Sequence, residues 1–122
     1  MTQDWQSVFA KDASLFPHLA DLPKQQVLLS TMTETAYQQA SFLDQRLFTP
    51  DLQRQVVSWT DVASISLPPL AKPQYIFHIG HVGSTLVSRL LGELDSVLAL
   101  REPAILRQLA ELWVTGPAEI SW

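Results

Sequence analysis

The stretch Tyr75-Ile76-Phe77-His78-Ile79-Gly80-His81-Val82-Gly83-Ser84-Thr85-Leu86-Val87-Ser88-Arg89-Leu90-Leu91 decides how this chain reads. Its first five residues form a short aromatic and β-branched run broken only by His78, the signature of a buried strand. Residues 80–84 then supply a loop. Leu86, Val87, Leu90 and Leu91, with Leu94 beyond them, recur at helical spacing. The stretch therefore predicts strand, loop and helix in succession. Small residues sit at the junction, where Gly80 and Gly83 take backbone angles closed to other residues and let a ligand approach the main chain. The amides of Gly83, Ser84, Thr85 and Leu86 then point out of the helix N-terminus. Unpaired N–H groups and the positive end of the helix dipole make such a terminus attractive to anions. The Ser84 and Thr85 hydroxyls add donors, and the whole suits phosphate or sulfate.

Downstream, residues 97–100 are a second buried-strand candidate. Pro103 fits a first helical position, and Ile105, Leu106, Leu109, Leu112 and Trp113 form an apolar stripe. Gly116-Pro117 stops that helix. Strand, loop, helix, strand, helix predicts an α/β unit, with its sheet incomplete within this chain. Upstream, Pro68, Pro69 and Pro73 favour extended backbone and mark a connector over residues 68–74. Residues 1–67 predict a mainly helical region. Residues 12–22 read as a short helical or turn segment. Pro23 reads as a helix start, followed by Val27, Leu28 and Leu29. Residues 33–48 read as the longest helix, with Ala36, Tyr37, Ala40, Leu43 and Leu47 at three- and four-residue steps. Thr49-Pro50 ends it, and residues 51–59 read as one more short helix.

Composition narrows the function classes. The chain has 122 residues, 47% hydrophobic and 16% charged, too apolar for a disordered segment. Eight Lys and Arg against twelve Asp and Glu give a net charge of −4. No basic run exists, which disfavours nucleic acid as a partner. Residues 72–122 carry less of the acidity than residues 1–71, so the second half is the better place for an anion. There is no cysteine, which excludes disulfides, thiolate zinc sites and cysteine nucleophiles. No apolar run approaches the ~20 residues of a membrane span. Residues 1–12 lack the basic and apolar regions of a secretory signal, so the expected location is the cytoplasm. No His, Asp or Glu set has metal-ligand spacing, and no Ser-His-Asp arrangement can be argued.

The loop is not a Walker A motif, G-x-x-x-x-G-K-[ST]. With Gly83 as its second glycine, only Gly83 and Thr85 match, and Ser84 stands where the lysine belongs. Residues 75–91 instead resemble the 5′-phosphosulfate-binding loop of sulfotransferases, enzymes of the P-loop superfamily. The likeness is narrower still to a bacterial sulfotransferase-like group with His-x-Gly-Ser-Thr in the loop and Arg-Glu-Pro after the second strand, here Arg101-Glu102-Pro103. It covers residues 75–106. The resemblance implies that 3′-phosphoadenylyl sulfate is the donor, held by residues 80–86 (Gly80, His81, Val82, Gly83, Ser84, Thr85 and Leu86), with no metal required. It places His81 where many members have the lysine or arginine that assists departure of the sulfuryl group. That is a departure, because histidine is a cation only when protonated. It places Arg101 and Glu102 near the acceptor, with Glu102 in a catalytic role. The family's contacts to the 3′-phosphate fall on no residue of this chain.

Structural readings stand beside these. Gly80 and Gly83 suit a tight turn with no ligand, and Ser84 and Thr85 suit helix capping. His78 reads as a hydrogen-bonded core histidine. Arg101 and Glu102 also suit a surface ion pair or dipole partners of the next helix. Three functions follow: sulfuryl transfer to a hydroxyl or amine, a truncated non-catalytic P-loop protein that needs a homo-oligomer or a completing partner, and a variant-loop phosphotransferase. The length favours the N-terminal portion of a larger P-loop enzyme.

Overall fold

The computed structural model describes residues 4–69 and 71–116. In chain order the elements are α1 (Trp5–Lys11), β1 (Leu15–Asp21), β2 (Gln26–Thr31), α2 (Glu34–Gln39), a 3-10 turn (Gln45–Leu47), β3 (Arg54–Ser58), α3 (Trp59–Ala63), α4 (Ser84–Gly92) and α5 (Ala104–Thr115). Helices and strands mix, as expected. The sheet is not the one expected from the strands of the second half. It is an antiparallel meander in the order β1-β2-β3, built wholly from the first half.

Three elements of the expected helical N-terminal region are therefore strands, and for β1 and β2 the change has a local cause. Pro23 lies in a turn closed by the Gln25 N–H donating to the Leu22 carbonyl at 3.0 Å. The Asp21 carboxylate accepts from the Lys24 N–H at 3.2 Å within the same turn. Proline fixes the same φ at the second position of a turn as at a helix start, so it cannot distinguish them. Val27 and Leu29 then point to one face of β2, with Val27 opposite Ala20 and Val57. A register shift between Pro17 and Leu19 leaves His18 at a bulge, and His18 to Asp21 are buried in succession. That unbroken buried run hides the alternation a strand usually displays.

The helix expected over residues 33–48 is cut to six residues. Thr33 caps its start, accepting from the Ala36 N–H at 3.0 Å. Its end is set from far away. Arg101 donates from Nη2 to the Tyr37 and Gln38 carbonyls at 2.8 and 2.6 Å, and from Nε to the Ala40 carbonyl. Carbonyls that would otherwise end the helix unpaired are thus satisfied by a side chain. Asp44 then accepts from the Arg46 N–H and pairs with the Arg46 guanidinium, starting the 3-10 turn.

Apolar clusters lie on the two faces of the sheet. Ala20, Val27, Leu29, Val57 and Ile105 fill one, covered by Trp5, Phe9, Val62 and Leu109 from α1, α3 and α5. Phe16, Met32, Tyr37, Ala40 and Leu43 fill the other. Helix α5, expected in a separate α/β unit, therefore packs on the N-terminal sheet. Its Gln108 carboxamide takes both backbone groups of Ala20 on the free edge of β1, at 2.8 and 2.9 Å. This side chain satisfies the edge as a neighbouring strand would. Pro103 is the residue just before α5 and Gly116 ends it, one place from and at the predicted positions.

The strands predicted over residues 75–79 and 97–100 form no ladder. Phe77 is 91% and Ile79 97% exposed. Helix α4 forms where predicted, but its apolar residues Leu86 and Leu90 are also exposed. No helix among the described residues is long and apolar enough to cross a membrane.

Candidate functional site

Three residues in four turn left-handed ahead of α4: Gly80 (φ 86°), His81 (φ 52°) and Gly83 (φ 84°). Glycine accepts these angles freely, whereas His81 adopts one at a cost. Gly83 is the N-cap residue of α4 and brings no side chain to cap it. Its carbonyl accepts the first helical bond, from the Val87 N–H at 3.1 Å. Ser84 and Thr85 are the first helical residues rather than caps, so capping does not explain them. The amides of the first turn face outward, at the positive end of a nine-residue helix.

A cavity of about 320 Å³ opens at this terminus. Gly80, His81, Gly83, Ser84 and Thr85 line it together with Phe42, His78 and Glu102. A second space of about 70 Å³ adjoins Ser84, Thr85, His78 and Glu102 as well. Six residues singled out in sequence thus meet at one cavity. Val82 and Leu86 do not line it, and their side chains are exposed. A separate 180 Å³ cavity between α2 and α4 is lined by Glu34, Arg89, Glu93 and Arg101, whose charges offset one another.

Arg101 differs from the expectation of a substrate contact. It borders the smaller space, but its guanidinium is buried and spent on the three carbonyls at the end of α2. Burial first, and then Arg89, lower its value from the ordinary guanidinium range. His78 also differs from the core histidine expected. Its segment is exposed, and its imidazole lies against the loop. The Gly80 N–H donates to His78 Nδ1 at 3.2 Å, and His78 Nε2 lies 3.5 Å from Glu102 Oε1.

Phe42 was not legible as a site residue. It reaches the cavity because the chain around it is anchored to the loop half. The Leu43 N–H donates to the Arg101 carbonyl and the Ala104 N–H to the Leu43 carbonyl, both at 2.9 Å. The Arg46 guanidinium sits 3.6 Å from the Phe42 ring centroid. The Asp44 carboxylate holds Arg46 there, and the same hydrogen bonds push the Asp44 carboxyl below its usual range.

A second histidine missed in sequence lies in the core. His18 Nε2 donates to the Asp44 carbonyl at 2.9 Å, so Nδ1, at 2.8 Å from Ser30 Oγ, accepts from that hydroxyl. Burial pushes His18 below its ordinary value, against a smaller opposing pull from the Asp44 carbonyl. Among the described residues, no group of three His, Asp or Glu could hold a metal ion. No known family, curated protein or solved structure matches the chain.

Proposed function

We propose that the loop before α4 holds the 5′-phosphosulfate of 3′-phosphoadenylyl sulfate, and that the chain is a sulfotransferase-like protein of the P-loop superfamily. The convergence of Gly80, His81, Gly83, Ser84, Thr85 and Glu102 on one cavity carries this reading. The donors fit the group. Outward amides and two hydroxyls suit the equatorial oxygens of a phosphate or sulfate, and the cavity suits the phosphosulfate end of the donor. Sulfuryl transfer, like phosphoryl transfer, needs mainly positioning and electrostatic stabilisation. The amides of the first turn of α4 orient the sulfuryl group. His81, when protonated, offsets charge on the bridging oxygen as the S–O bond to the 5′-phosphate breaks. Glu102, which lines the same cavity, takes the proton of the attacking hydroxyl or amine.

Calorimetric titration of the chain with adenosine 3′,5′-bisphosphate tests the site. Saturable binding, lost when Gly83, Ser84 and Thr85 are altered, is the expected result. A wild-type titration indistinguishable from buffer refutes it.

A second reading concerns what the chain acts with. Phe77, Ile79 and Trp113 (91% exposed) lie among a long run of uncovered apolar side chains, the pattern of an interaction surface. We infer that residues 75–100 pair with strands of a second copy or of another chain. Light scattering of the purified chain checks this: a monodisperse monomer that unfolds cooperatively and binds no apolar dye counts against it.

A further inference from the structure

We propose that His78 is a positioning residue for Glu102, holding its carboxylate where it takes the proton of the acceptor. This inference rests on the sulfuryl-transfer reading above, and its support is separate from the helix terminus.

The tautomer comes first. Because the Gly80 N–H donates to Nδ1 at 3.2 Å, that nitrogen carries a lone pair and no hydrogen. The single hydrogen of the neutral ring is then on Nε2, and Nε2 faces Glu102 Oε1 at 3.5 Å. The backbone of the loop therefore sets which nitrogen addresses the carboxylate. The contact is long for a charge-assisted hydrogen bond, as is common before substrate tightens a site.

The placement of Glu102 is the second observation. It adopts φ 43°, a left-handed conformation unfavourable for a side chain with a Cβ. Its neighbours hold it there: the Arg101 carbonyl and the Ala104 N–H are both bonded to Leu43. Strain kept by surrounding bonds is common where a side chain is aimed at a reaction. The side chain so aimed lines both cavities, as His78 does, with Ser84 and Thr85 beside them. Other charged or titratable groups near the carboxylate are Arg46, which senses Glu102 electrostatically, and His81, which lines the same cavity.

Stability does not account for the pair. Residues 75–79 belong to no sheet and no core, and a partly exposed contact to a carboxylate stabilises little. Its effect is on geometry: the contact of Nε2 with Oε1 restricts the Glu102 carboxyl and leaves Oε2 for the acceptor.

Hydrolysis of the donor tests this, with water as the acceptor. One water proton passes to Glu102 as the water oxygen bonds to sulfur. The S–O bond to the 5′-phosphate breaks, and its electron pair leaves on the bridging oxygen of adenosine 3′,5′-bisphosphate. Sulfate release from ³⁵S-labelled 3′-phosphoadenylyl sulfate is followed for the full chain and for His78→Ala, His78→Gln, Glu102→Gln and the double variant His78→Ala/Glu102→Gln. His78→Ala should lower kcat on the order of 10- to 100-fold, leaving KM for the donor unchanged. His78→Gln keeps an N–H near the ε position and should recover most of the loss. The double variant should be no slower than Glu102→Gln alone, because both changes remove one device. Nitrogen-15 spectra of wild type should place the neutral ring hydrogen on Nε2. Unchanged kcat in His78→Ala, additive losses in the double variant, or a hydrogen on Nδ1 overturns the role of His78. Wild type that binds the bisphosphate yet releases no sulfate also overturns it. Failure of wild type to bind the bisphosphate at all is a different outcome and refutes the site reading first.

Discussion

Replacing Arg101 separates the two roles that sequence and structure give it. Its side chain is 6% exposed and donates to the carbonyls of Tyr37, Gln38 and Ala40. Arg101→Met keeps much of the volume and removes every donor. A hydrogen bond from a charged group contributes roughly 1.5–3 kcal/mol, and a stranded buried carbonyl costs about 1–3 kcal/mol. Three such bonds do not add in full. The 180 Å³ cavity beside Arg101 can admit water to the freed carbonyls, and methionine escapes the desolvation of a buried guanidinium. A net loss of about 3 kcal/mol follows, on the order of 10 °C in Tm for a domain of this size. Arg101→Lys keeps the charge but not the fork, and should lose roughly half as much. Urea unfolding followed by far-ultraviolet circular dichroism measures both variants. An unfolding free energy for Arg101→Met within about 0.5 kcal/mol of wild type refutes the clamp.

His18 makes stability depend on pH in a defined window. Its folded value lies below the ordinary 6.5, so the unfolded chain binds the proton more readily. The contribution of His18 is complete above pH 6.5 and is lost as pH falls below it, at up to about 1.4 kcal/mol per pH unit. Asp44, also lowered, acts only below 3.8, outside that window. Urea midpoints for wild type and His18→Gln should therefore diverge in slope below pH 6.5, and parallel curves refute the assignment. Gly83→Ala meets no atom within 4 Å, so its whole cost is the left-handed φ of 84°. Roughly 1–2 kcal/mol of local strain should appear as weaker bisphosphate binding by calorimetry, with little change in the melting of the sheet. Equal affinity for the two proteins counts against the loop geometry.

What could be read from sequence follows from the range of the forces involved. Helices α4 and α5 were legible because their apolar spacing, Gly83, Pro103 and Gly116 all act within a few residues. The cluster of small residues at 80–85 was legible for the same reason, since left-handed turns demand glycine nearby. The sheet was not. Pro23 suits a turn and a helix start equally, and the bulge at His18 erased the alternation that marks β1. The end of α2 was illegible in principle, because the group that satisfies its carbonyls lies more than sixty residues away. Phe42 was missed as a site residue for that reason too, whereas His78 was missed because the strand expected over residues 75–79 does not form. Phe42 enters the site through the Leu43 bonds, and His78 through a turn of the loop back onto its own ring.

The same long-range bonds change how the two halves relate. A proline-rich connector at residues 68–74 suggests independent units, yet the segment from Arg101 to Leu109 is tied to the first half at every level. Arg101 ends α2, Leu43 brackets Glu102, Ile105 completes a face of the sheet, and Gln108 closes its edge. The acceptor side of the proposed site is thus set by the N-terminal sheet, through Leu43, while the donor side is set by α4. Helix α4 and residues 75–79 have no comparable ties and leave their apolar side chains open. Formation of the site then depends on how firmly α4 is held against Glu102, and the His78–Glu102 contact joins the two sides. A pair that contributes little to overall stability can still decide the distance between donor and acceptor, which is where a small displacement costs most in rate.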